Sequence, residues 1–125
     1  MKDKINALAK FLDVSKKEAK SLIDNGDYLV LDDCDADDAA KEEILNLVWT
    51  FNSSFLSDHS SLDERAIAAM QRSMHEDAND SLISTIKDIE HFVDDAICSD
   101  GRGHFLSRYD GKENEQDRFF IYRVN

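Results

Sequence analysis

A chain of 125 residues with 42% hydrophobic side chains and seven Phe can bury the core of one domain, which excludes a disordered tail. Its 27 acidic and 15 basic side chains leave a net charge of −12, a field that repels nucleic-acid phosphates and attracts basic surfaces. No apolar run reaches the roughly 18 residues of a membrane span, and the N-terminal MKDKINALAKFL lacks a leader core, so a cytoplasmic protein is expected.

The charge is uneven. Residues 1–25 carry six Lys against Asp3, Asp13, Glu18 and Asp24, a balance of +2, so the rest of the chain sums to −14. Ile5, Leu8, Ala9 and Leu12 recur at helical spacing, with Phe11 widening the apolar face. Ser15 and Glu18 then form a capping box for a second helix over about 16–24, which buries Ala19, Leu22 and Ile23 and stops at Asn25-Gly26. Residues 4–23 thus look superficially like a DNA-binding helix-turn-helix. The second helix, however, lacks the Arg, Gln, Asn and Ser set that reads base edges, so a packed helical pair is expected.

YLVL at 28–31 reads as a strand. The acidic run that follows places Asp33, Asp35 and Asp37 at the first three ligand positions of an EF-hand loop. Asp38 then stands where that loop needs Gly and Ile44 where it needs Glu, which argues against calcium. Helix-start chemistry accounts better for these acids: Asp33 or Asp35 caps, and Asp37 and Asp38 sit at the positive end of the dipole. The helix is expected over about 36–56, apolar on two adjoining faces, with Trp49 in the core. A loop around 57–61 leads to a helix over 62–74, and another follows over about 81–98. The polar face of the latter carries Asp88, Glu90, His91, Asp94 and Asp95. His91 and Asp95 lie one turn apart, but two ligands without a third do not make a metal site, and none is expected. Cys34 and Cys98 form no ligand cluster and are expected as free, partly buried thiols.

Three of the four glycines fall in SDGRGHFLSRYDGKENE, residues 99–115. Here the chain turns at 99–101, residues 104–107 read as a short strand, Asp110-Gly111 as a turn and KENEQD as a polar loop. Phe119 to Val124 forms the last strand, with 28–31 or 104–107 as candidate partners. The expected fold is one α+β domain over 1–125, mostly helical with four to five helices, and a two- or three-stranded antiparallel sheet that includes the C-terminal strand.

SDGRGHFLSRYDGKENE followed by FFIYRVN resembles a C-terminal pattern of small bacteriophage and prophage proteins, and YLVLDDCDADDAAKEE is similar to an earlier segment of the same family. The matching positions are Asp100, Gly101, Arg102, Gly103, His104, Tyr109, Asp110, Gly111, Glu113, Tyr122 and Arg123. The resemblance implies a phage setting, with the host cytoplasm as location, and no particular activity. Together with the charge it gives the leading expectation, a non-enzymatic accessory protein that inhibits a host nucleic-acid-binding protein by charge mimicry. The partner surface is expected at Asp32, Asp33, Asp35, Asp37, Asp38, Glu42, Glu43, Asp88, Glu90, Asp94 and Asp95. Direct contact with nucleic acid and a membrane role are not expected, no cofactor motif is present, and a homodimer is compatible with the composition. Two alternatives stand beside this: a DNA-binding regulator through 4–23, and a phosphate-binding protein whose anion loop is Gly101, Arg102, Gly103 and His104.

Overall fold

Local capping sets the first elements of the computed structural model, which describes residues 1–125 throughout. Helix α1 spans Lys2–Leu12 and α2 spans Lys16–Asp24. The Ser15 hydroxyl accepts from the Glu18 amide at 3.1 Å, as the capping box predicts. Strand β1 (Tyr28–Leu31) precedes α3 (Asp33–Asn46). There the Asp32 carboxylate accepts from the Asp35 amide at 2.8 Å, so the cap lies one residue before the expected ones. The remaining elements are α4 (Ser53–His59), α5 (Glu64–Met74), α6 (Asn79–Thr85), α7 (Ile89–Asp100), α8 (Arg102–Leu106), β2 (Asn114–Gln116) and β3 (Phe119–Arg123). The α+β class is as expected, while the helices are shorter and more numerous. No helix is long and apolar enough to cross a membrane.

Contacts cluster in two units, residues 1–40 with 100–125, and residues 41–99. In the first, β3 is the central strand of an antiparallel sheet ordered β1-β3-β2. Val30 faces Ile121 in register, and both join Leu8, Ala9 and Ala19 in a core flanked by Ile5, Leu12, Leu22 and Phe119. Strand β2 falls in the stretch expected as a polar loop. It turns into β3 through Asp117 and Arg118, both at positive φ (53° and 70°), the geometry that a two-residue hairpin of type I′ requires. Asn-Gly would have announced this turn; Asp-Arg does not. A 3.0 Å ion pair from Lys10 to Asp117 holds it, and that pair draws the exposed Asp117 carboxyl below its usual range.

Residues 104–107, expected as a strand, belong instead to α8 and its end. Gly103 is buried at the start of this helix. A Cβ there would meet the Gly111 carbonyl oxygen at 2.7 Å, the Lys112 carbonyl carbon at 2.7 Å and the Glu113 amide at 2.8 Å. The loop therefore lies directly on the helix backbone. It is tied down by the Gly111 amide donating to the Ser107 carbonyl at 2.8 Å and by the buried Ser107 hydroxyl donating to the Lys112 carbonyl.

In residues 41–99 the long helix expected over 36–56 ends at Asn46. Side-chain amides from distant residues take over the backbone groups that would have continued it. Asn79 accepts from the Trp49 amide at 3.0 Å and donates to the Leu45 carbonyl at 2.7 Å, while Gln71 donates to the carbonyls of Trp49 and Phe51 at 3.0 and 2.7 Å. Trp49 is half-buried. Asn52 then caps α4 by accepting from the Ser54 amide at 2.9 Å. The helix expected over 81–98 breaks for a related reason. The Thr85 hydroxyl donates to the Leu82 carbonyl at 2.7 Å, Ser60 and Ile86 form a β-bridge, and Asp88 restarts the helix by accepting from the His91 amide at 3.1 Å. The core here includes Ile44, Val48, Leu56, Ile67, Leu82, Phe92 and Val93. Cys34 and Cys98 are free thiols, but exposed, not partly buried.

Gly103→Ala should destabilise the fold by about 1–3 kcal/mol, because only backbone atoms stand in the way and none can swing aside. Arg118→Gly should act in the opposite direction, stabilising by up to about 1 kcal/mol by relieving a left-handed residue. Urea denaturation of the two variants checks both signs.

Candidate functional site

The candidate anion loop was expected at Gly101, Arg102, Gly103 and His104. Gly101 is at φ 83° and ψ 154°, a region that only glycine occupies readily, and this turns the chain out of α7 into α8. The turn aims Arg102 inward, where its side chain is 10% exposed and surrounded by carboxylates of its own chain. Nε donates to Glu113 at 2.8 Å, and Nη1 donates to Asp33 and Asp37 at 2.9 and 3.0 Å and to the Asp33 carbonyl at 3.1 Å. The guanidinium also lies 4.6 Å from the centre of the Phe120 ring. Burial works against this charge, but hydrogen bonds to Glu113 and Asp33 outweigh it, so the guanidinium holds its proton more tightly than usual. The group that would have bound an anion is thus already neutralised. Gly103 is packed under the loop, and His104 is exposed against Phe105. Gly101, Arg102 and Gly103 thus carry the turn and its ion pairs, while His104 stays on the surface.

Glu113 is shared. Its carboxylate also accepts from the hydroxyl of Tyr122, whose ring is fully buried on β3. Burial first, and then the hydrogen bond and charge of Glu113, push the Tyr122 phenol well above its ordinary value. Arg123 stacks its guanidinium 3.7 Å from the centre of the exposed Tyr109 ring.

The acidic residues proposed as a partner surface divide by what they touch. Asp33 and Asp37 are committed to Arg102, Asp32 and Asp88 cap helices, Glu90 pairs with Lys41, and Asp95 pairs with His59. Asp35, Asp38, Glu42 and Asp94 are exposed, and Glu43 is half-buried. Within residues 41–99, twelve acids stand against only Lys41, Arg65, Arg72 and Lys87. In the other unit, fifteen acids stand against eleven basic side chains. The unneutralised charge is therefore concentrated in 41–99.

A second grouping brings together more than the sequence indicated. His91 and Asp95 project from the same side of α7, one turn apart, as the spacing predicts. His59, which lay in the expected loop, is the last residue of α4 and only 8% exposed. Its Nε2 sits 2.8 Å from Asp95 Oδ2, and its ring centre is 5.1 Å from that of His91. One ligand-type atom from each of the three residues lies within 4.8 Å of the other two. The helical pair α1 and α2 carries a shallow groove of about 470 Å³, lined by Lys2, Ile5, Asn6, Lys16, Lys17 and Lys20. Comparison with protein-family models, curated proteins and solved structures returned no match.

Tyr122 carries a pH signature. An unfolded phenol ionises near about pH 10 while the native one resists, so unfolding releases a proton above that point. The group thus contributes stability at neutral pH that is lost as pH rises past the ordinary phenol value. Tyr122→Phe should cost about 1 kcal/mol at pH 7. It should also flatten the decline in stability above about pH 10 in denaturation series, and parallel alkaline declines for the two proteins would contradict this account.

Proposed function

We propose that this chain is a non-enzymatic accessory protein that binds and inhibits a nucleic-acid-binding protein of a bacterial host. It would do so by presenting carboxylates where its partner expects phosphates. The carrying observation is the excess of twelve acids over four basic residues in 41–99, most of them on the surface. Within that unit Glu90 pairs with Lys41 and Asp95 with His59. Such a surface attracts a positively charged cleft and repels free nucleic acid. The setting comes from the resemblance of the C-terminal segment to phage proteins, and within that setting a restriction-type or CRISPR-type defence factor or a transcription factor fits the charge. Location in the host cytoplasm belongs to the same reading.

Affinity capture from bacterial lysate tests it when combined with competition. The captured protein should itself bind duplex DNA, and DNA should displace it. Retention should also fall as salt rises from about 0.1 to 1 M, where the Debye length shrinks from about 10 to about 3 Å. Replacing Glu42, Glu43 and Asp94 together with their amides should weaken retention. Salt-insensitive capture, or capture of a protein that DNA does not displace, would sink the proposal. A second reading, DNA association through 4–23, draws on the exposed Lys2, Lys16, Lys17 and Lys20 around the α1–α2 groove. It predicts a gel shift that is lost when Lys16, Lys17 and Lys20 become Gln.

A further inference from the structure

We propose that His59, His91 and Asp95 form a binding site for a zinc-like divalent transition metal. The donor set is two imidazoles and one carboxylate. That combination suits zinc, cobalt or nickel and is poor for calcium or magnesium, which take oxygen ligands. Three protein ligands leave a fourth position for water or another small ligand, and His91 on the exposed side of α7 leaves room for it.

The geometry is close to what a metal needs. Donors bound to a tetrahedral zinc at about 2.0–2.1 Å stand about 3.3 Å apart. Here the three ligand atoms lie within 4.8 Å of one another, and the His59–Asp95 pair is already at 2.8 Å. His91 is exposed and Asp95 half-exposed, so both side chains have room to change rotamer toward a shared ion.

His59 is the fixed member. Its ring lies 5.1 Å from that of Phe55 and meets Phe92 edge-on at 5.4 Å, so aromatic packing holds its orientation. Its carbonyl accepts from the Lys87 amide at 2.9 Å, beside the Ser60–Ile86 bridge. These bonds join the end of α4 to the segment that leads into α7, and they bring the lone histidine of one helix opposite the i, i+4 pair of the other. A buried histidine paired with an aspartate needs no third residue for stability alone. The second imidazole, its ring centre 5.1 Å away and tilted at 60°, is what points to a ligand. The surplus negative charge of 41–99 raises the local concentration of cations around the site.

The test is titration of the untagged full chain, kept reduced, with Zn²⁺ by calorimetry and with Co²⁺ by visible absorption. Expected are one saturable site per chain, a cobalt spectrum of low symmetry without a thiolate band, and a raised melting temperature. His91→Ala and Asp95→Asn should each weaken binding at least about tenfold. His91 is exposed, so that variant should keep its fold, which far-ultraviolet circular dichroism verifies. His104→Ala, in the other unit, should bind like the unaltered protein. The proposal is overturned if binding is absent or non-saturable, if His91→Ala binds as tightly as the unaltered chain, or if binding is lost on Cys34→Ser or Cys98→Ser instead.

Discussion

One guanidinium organises the unit formed by residues 1–40 and 100–125. Arg102 sits at the first position of α8 and reaches the start of α3 through Asp33 and Asp37, and the loop before β2 through Glu113. The sheet joins the same network through the Tyr122 hydroxyl on Glu113 and the Phe120 ring beneath the guanidinium. Three carboxylates gathered without that cation would repel one another, so the arrangement depends on it. A lysine could supply the charge but not the fork of donors that reaches several partners at once. Because Asp33 and Asp37 keep most of their exposure to water, 72% and 60%, their share is screened, and the less exposed Glu113 at 32% carries more of the coupling.

The glycines around Arg102 follow from the same constraint. Gly101 adopts the backbone angles that swing the chain from α7 into α8, and Gly103 lets the Gly111–Glu113 backbone come close enough for Glu113 to meet the guanidinium. The density of Gly, Arg and His in this stretch suggests a reactive loop when read as sequence. What the structure shows there is close packing around the Arg102 guanidinium and the three carboxylates that pair with it.

Patterns confined to neighbouring residues were legible in advance: the Ser15–Glu18 capping box, the YLVL strand, the closing strand from Phe119, and the one-turn spacing of His91 and Asp95. What escaped depended on partners far along the chain. The 36–56 periodicity is continuous, yet the amides of Asn79 and Gln71 capture the backbone at Leu45, Trp49 and Phe51 and end the helix there. Strand β2 was hidden because Arg118 stands where the usual Asp-Gly hairpin turn has glycine. His59 was hidden because NSSFLSDHSS reads as polar loop until Asn52 is recognised as a cap. With that cap in place the segment becomes a helix, and its last residue meets α7.

The two proposals converge on residues 41–99 for one electrostatic reason. In the other unit the acids are largely balanced by eleven basic residues, and the most buried cation, Arg102, is held by three of them. In 41–99 the formal balance is −8 and little of it is cancelled internally. Neighbouring carboxylates repel one another, and a countercharge from outside the chain would ease that repulsion. A basic protein surface would relieve it over a wide area; a divalent cation at His59, His91 and Asp95 would relieve it at one point, reducing the unit to −6. The two effects would oppose each other: metal occupancy would weaken the field that draws a basic partner, and a bound partner would lower the local attraction for the metal. Such reciprocity is what linkage requires of two ligands that compete for the same charge.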